Sequence, residues 1–132
     1  MPIHLTEDHV NAPLAFDAAN GELSFDGPVF AGRYISAAGS TDQTASFIDA
    51  DTAGGSFALT LRDEDHAAGM HYWIRVDTGP SSLTVQRPAS GSTKTINGNF
   101  VGQSLSGATS LILLREDGVL RVRPSGDNWL IY

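Results

Sequence analysis

The sequence predicts an all-β fold, a small β-sandwich or barrel of jelly-roll type with an extended N-terminal arm. Three observations predict it. Short segments alternate apolar and polar residues, Gly, Pro, Asn, Asp and Ser cluster between them, and only one stretch is suited to a helical turn. The chain has 132 residues, enough for one core and too few for a second domain of ordinary size. Residues 1 to 16 are read as the arm and residues 17 to 132 as a single β domain.

The clearest strand is Ser56 to Arg62, in which Phe57, Leu59 and Leu61 share one face and Ala58 and Thr60 the other. His71 to Asp77 repeats the pattern with Tyr72, Ile74 and Val76. Val29 to Ser36, Thr44 to Ile48, Ser82 to Arg87, Leu111 to Arg115, Val119 to Arg123 and Asn128 to Tyr132 complete a set of eight or nine strands. Trp129 and Ile131 alternate in the last of these and join Phe57, Leu59, Leu61, Tyr72, Ile74 and Val76 as the expected core. Asn20-Gly21, Asp26-Gly27, Asn97-Gly98 and Asp117-Gly118 tolerate positive φ and are read as tight turns. The last of them is expected to join Leu111–Arg115 to Val119–Arg123 as a hairpin. Asp63 to Gly69, with acids early and Gly at its end, is expected to form one helical turn.

Charge narrows the function. Residues 1 to 66 hold eleven acids against Arg33 and Arg62, whereas residues 67 to 132 hold four acids against six cations, and the net charge is -7. Phosphate neutralisation needs clustered cations, so nucleic acid is not an expected partner. No apolar run approaches the roughly 20 residues that span a bilayer, and the first residues lack the pattern of a signal peptide. A soluble chain without a membrane role is the expectation. With no cysteine, disulfide scaffolds, thiol nucleophiles and zinc ribbons fall away.

Catalytic and cofactor motifs are lacking as well. There is no Gly-x-Ser-x-Gly elbow, phosphate-binding loop or dinucleotide fingerprint, so neither an enzyme nor a cofactor is expected. His4 with His9, and His66 with His71, are each five residues apart, which puts each pair on opposite faces of a strand and argues against metal chelation. Asp49 to Gly55 lacks the third acid and the terminal Glu of a calcium loop and reads as an acidic turn.

Tyr34, Tyr72, Trp73, Trp129 and Tyr132 have the chemistry to stack on sugars from a sheet face. Trp73 falls opposite Tyr72, Ile74 and Val76, beside Arg75, and is read as a surface or subunit-contact residue. In the arm, Ile3, Leu5, Val10, Leu14 and Phe16 follow no period and are read as anchors for a partner or a neighbouring subunit.

From about Ala50 to Tyr132 the order of features resembles a β-module of tailed-bacteriophage virion proteins, among them tail-fibre and head-decoration components. Those features are Phe57-Ala58-Leu59-Thr60-Leu61, Ala67-Ala68-Gly69, Tyr72-Trp73-Ile74-Arg75-Val76, Ile96-Asn97-Gly98, Ser110-Leu111-Ile112-Leu113-Leu114 and Asp127-Asn128-Trp129-Leu130-Ile131-Tyr132. The chain departs from the module where Arg62-Asp63 replaces the usual Pro and where Glu116 to Arg123 is added. The resemblance implies a structural role in the virion, often as a trimer. A chain without a fibrous shaft fits a capsid decoration (cement) protein on the capsid surface, bound to the major capsid protein and to copies of itself as a homotrimer. The alternative is a tail-fibre, receptor-binding or carbohydrate-binding module that contacts a host glycan.

Overall fold

The computed structural model describes residues 14–17, 22–25 and 31–132. The chain divides into two units, residues 1–30 and 31–132. In the first, β1 (Leu14–Asp17) and β2 (Glu22–Phe25) pair antiparallel from Leu14 opposite Phe25 to Asp17 opposite Glu22. Leu14 and Phe16, assigned from sequence to the arm, therefore belong to a strand. Ile3, Leu5 and Val10 lie outside the described residues, as do the expected turns at Asn20-Gly21 and Asp26-Gly27.

The second unit contains β3 (Ala31–Ile35), β4 (Gly39–Ser40), β5 (Ala45–Asp51), β6 (Phe57–Thr60), α1 (Asp63–Ala67), β7 (Tyr72–Thr78) and β8 (Leu83–Gln86). It continues through β9 (Ile96–Phe100), β10 (Gln103–Ala108), β11 (Ser110–Leu113), a 3₁₀ turn at Arg115–Asp117, β12 (Leu120–Ser125) and β13 (Asn128–Ile131). A seven-stranded sheet has the order β10-β9-β13-β12-β7-β5-β3, and a four-stranded sheet the order β11-β8-β6-β4. The two-sheet, all-β architecture is the one the sequence predicts. The strand count is higher, because β4 is too short to show a period, and Asn97-Gly98-Asn99 in β9 and Ser104, Ser106 and Gly107 in β10 leave no apolar alternation there.

Pairing within the sheets is mixed, whereas a jelly roll pairs antiparallel. From β3 to β8 the chain alternates between the sheets. Each strand lies parallel to its predecessor in the same sheet, β3 with β5 and β5 with β7 on one side, β4 with β6 and β6 with β8 on the other. Parallel strands cannot be joined by a tight hairpin, and here the strand in the opposite sheet supplies the crossover. One turn of this coil carries Phe47 to its neighbour Trp73 and Leu59 to its neighbour Val85. The helical turn expected at Asp63 to Gly69 is present as α1, with acids in its first turn and Gly69 at φ 74° beyond its end.

Two turn expectations are corrected. β11 pairs with β8 while β12 pairs with β7 and β13, so Leu111–Arg115 and Val119–Arg123 lie in different sheets and form no hairpin. The Asp117 carboxylate accepts the Leu114 N–H (2.8 Å) and the Leu114 carbonyl accepts the Asp117 N–H (3.1 Å), which turns the chain across the sandwich. Asn97-Gly98 lies inside β9 instead of forming a turn. Gly98 has φ 125°, and a Cβ there would stand 2.6 Å from the Ile131 carbonyl oxygen, so the close approach of β13 demands glycine. The β9–β10 hairpin turns instead at Val101 and Gly102, both with positive φ.

The core lies between the sheets. Leu59, Leu61, Tyr72, Ile74, Val76, Trp129 and Ile131 are buried in it, and Phe57 is partly buried and packs against it. The Trp129 ring lies 6.1 Å from that of Tyr72 and receives the edge of His66 at 5.2 Å. One corner is tied by a buried polar group. The Asp65 carboxylate accepts the Thr41 hydroxyl (2.5 Å) and two bonds from Arg62 (2.9 and 2.8 Å). Close by, the Tyr72 hydroxyl donates to the Asp42 carbonyl (2.6 Å). Burial, aided by Asp65, pushes the Tyr72 hydroxyl well above the usual tyrosine range.

Candidate binding face on the seven-stranded sheet

Alternation along β5 sends Ile48 and Ala50 into the core and leaves Phe47, Asp49 and Asp51 on the outer face. In β7, Tyr72, Ile74 and Val76 point inward and Trp73, Arg75 and Asp77 outward. Register then assembles rows across the sheet. Gly32, Phe47, Trp73 and Arg121 stand side by side in one row, and Tyr34, Asp49 and Arg75 in the next.

Phe47 and Trp73 stack with centroids 5.0 Å apart and planes inclined at 23°, close to the roughly 4.8 Å between neighbouring strands. Both rings therefore rise from the sheet in parallel. Phe47 remains 44% exposed, and Tyr34, Val119 and Tyr132 are also exposed. In the second row Arg75 Nε donates to Asp49 Oδ1 at 2.6 Å, and its NH2 group lies 3.2 Å from Asp77 Oδ1. Phe47, Asp49, Trp73, Arg75 and Val119 line a shallow hollow of about 280 Å³. Aromatic surface thus adjoins a carboxylate and a guanidinium fixed by each other.

Beyond Trp73 the same face turns cationic. The Arg121 and Arg123 guanidinium carbons lie 5.1 and 5.3 Å from the centroid of the Tyr132 ring. His71 meets that ring edge-on at 6.1 Å and lies 6.5 Å from Trp73. Neither Arg121 nor Arg123 is ion-paired among the described residues.

Of the residues assigned from sequence to a partner surface, Trp73 sits at the centre of this face. Leu14 and Phe16 lie in β1, in the other unit. Phe47, Val119 and the Arg121–Arg123 pair escaped the sequence reading. Ile48 beside Phe47 leaves both faces of β5 apolar, which hides which one is buried. The Arg pair was legible, since Leu120 and Val122 alternate with it.

The remaining candidates resolve into structural roles. His66 Nε2 bonds the Asn128 carbonyl (2.8 Å) while its ring packs on Trp129, and His71 stands on the outer face. Among the described residues no three His, Asp or Glu side chains converge as a metal site, and no helix is long and apolar enough to cross a membrane. In the acidic turn, Asp51 accepts the Ala53 N–H (2.9 Å) and Asp49 is engaged by Arg75. Compared with known proteins, the chain matches no family model, no curated protein and no solved structure.

Proposed function

We propose that this chain is a structural protein of a tailed-bacteriophage virion, a capsid decoration protein that binds the major capsid protein and stabilises the head shell as an oligomer, with a trimer expected. The order of features from Ala50 to Tyr132 supplies the virion context. The observation that carries a binding role is the outer face of the seven-stranded sheet, where the exposed Phe47 stacks on the half-buried Trp73 between exposed Tyr34, Val119 and Tyr132. Aromatic and Arg side chains of this kind dominate protein contact surfaces. The reading includes no catalytic role and no cofactor.

Antibody labelling of virions in electron micrographs tests it, together with the mass of the purified chain in solution. Label over the shell is expected, and its absence from the particle overturns the proposal. A second reading, a tail-fibre or receptor-binding module, is favoured by the hollow in which Trp73 meets Asp49 and Arg75. Label confined to the tail would select it. Under the decoration reading, removing residues 1–16, which also takes most of β1 from its pairing with β2, leaves the unit of residues 31–132 folded and abolishes attachment. Full decoration by the truncated chain would show that the arm is not the anchor.

A further inference from the structure

We infer that the row Phe47, Trp73, Arg121 and Tyr132 is a binding track for an acidic oligosaccharide, with a sugar carboxylate held between Arg121 and Arg123 and an adjoining uncharged ring over the hollow at Trp73. The inference rests on the second reading above, in which this face meets a sugar and not the shell. Its first support is the Arg pair. Both guanidinium carbons stand within 5.3 Å of one ring centroid, and no carboxylate pairs with either among the described residues. Two like charges set against one ring, neither paired with a carboxylate among the described residues, repel each other, and an anion that reaches both removes that repulsion. Guanidinium forks match a carboxylate in bidentate geometry.

A second support is the pattern of charge around the pair. Asp49, Asp51 and Asp77 lie on the same face, one and two strands away from Arg121. A dense polyanion running along the face would meet those carboxylates, whereas a chain with one acidic ring beside an uncharged one would not. The uncharged ring has its own seat. Arg121 stands opposite Trp73, which stands opposite Phe47, so the hollow begins one strand spacing, about 4.8 Å, from the Arg pair. There the aromatic edges offer apolar contact to the C–H groups of a pyranose. Asp49 accepts and Arg75 donates hydrogen bonds to its hydroxyls.

The test titrates the full chain with a hyaluronan tetrasaccharide, in which glucuronic acid alternates with N-acetylglucosamine. Sialyllactose serves as a second acidic sugar beside an uncharged ring, and an oligogalacturonate, acidic on every ring, as the dense polyanion expected to bind more weakly than either. Calorimetry gives affinity, and tryptophan fluorescence reports on Trp73, since Trp129 is fully buried. At least one acidic sugar is expected to bind, with its carboxyl methyl ester roughly tenfold weaker or worse. Arg121→Gln and Arg123→Gln should each weaken binding roughly tenfold with unchanged melting temperature, and added salt should weaken it further. Equal affinity for acid and ester, or no loss in either Arg variant, overturns the inference. So does failure of both the hyaluronan tetrasaccharide and sialyllactose to bind at millimolar concentration, or tighter binding of the oligogalacturonate than of either. Tighter binding of a heparin tetrasaccharide or single-stranded DNA would show a general anion patch and overturn it too.

Discussion

Replacing Asp65 by Asn changes one oxygen for an NH2 group of nearly the same size, yet it should remove much of the stability of the corner it ties. The carboxylate is fully buried, and it accepts two bonds from Arg62 and one from Thr41. Bonds to charged groups contribute about 1.5–3 kcal/mol each. In Asp65→Asn an amide oxygen in place of Oδ2 can still accept from Thr41 and Arg62 Nε, but the NH2 group in place of Oδ1 faces the other Arg62 donor, and the carboxylate charge that pairs Arg62 is gone. Breaking a buried pair from one side costs about 3–5 kcal/mol when the stranded charge stays dry. The Arg62 side chain is 32% exposed and regains water, so the lower end applies, about 3 kcal/mol. Out of a total near 5–15 kcal/mol, that is a large share. Urea unfolding followed by circular dichroism measures it, and a loss below about 0.5 kcal/mol at pH 7 would refute the assigned role.

The same pair fixes a pH signature. Burial pushes the Asp65 carboxyl up, but hydrogen bonds from Arg62 and Thr41 outweigh burial and hold it below the usual aspartate range. A carboxylate whose folded pKa lies below its unfolded value, about 3.9, stabilises the fold above that value and loses the contribution as pH falls through the folded pKa. The gap between wild type and Asp65→Asn should thus be full above about pH 5 and shrink below 3.9. Asp42, held low first by the Thr44 hydroxyl, is common to both proteins and cancels in the difference. A gap constant from pH 6 to pH 3 would show that Asp65 is not the titrating group.

Three further outcomes are expected from unfolding measurements. Trp129→Ala should cost about 3–5 kcal/mol, since the indole is fully buried against Tyr72 and His66, and an unchanged melting temperature would contradict that packing. Val101→Asn should raise stability by about 1 kcal/mol, because a β-branched residue sits at φ 42° beside Gly102 with its side chain exposed, where Asn-Gly is the preferred turn pair. Gly98→Ala should cost about 3 kcal/mol or more, since its Cβ meets the Ile131 carbonyl at 2.6 Å; a loss under about 1 kcal/mol would show that β9 can move away from β13.

Alternation of apolar residues located β3, β5, β6, β7, β8, β11, β12 and β13, because each buries one face, and burial imposes a period of two. It could not reveal which strands pair. Phe57 to Leu61 and Leu83 to Val85 alternate in the same way whether their neighbours run parallel or antiparallel, so the coil from β3 to β8 left no local mark. Asp117-Gly118 misled for a related reason. A glycine at positive φ closes a hairpin or turns the chain into the opposite sheet equally well, and long-range pairing of β11 with β8 in one sheet and of β12 with β7 in the other decides between them. The candidate site was half legible. Trp73 and Arg75 follow from period two, but the stack of Phe47 on Trp73 exists only through pairing of β5 with β7.

That stack also separates fold from function, because the two tryptophans answer to different demands. Trp129 is fully buried between the sheets, whereas Trp73 stands half-buried on the outer face, stacked on Phe47. An aromatic pair contributes about 0.5–1.5 kcal/mol beyond area burial, and a cross-strand pair on an open face is in the same range. Trp73→Ala should therefore cost only about 1–2 kcal/mol, a fraction of the loss expected for Trp129→Ala. If the face exists for binding, the same substitution should abolish partner or ligand attachment while the protein remains folded at room temperature. Paired melting curves and binding measurements on the two alanine variants decide the matter. A loss at Trp73 equal to that at Trp129, with attachment falling only in proportion to the unfolded fraction, would make the outer stack part of the structural framework and remove the case for a binding face there.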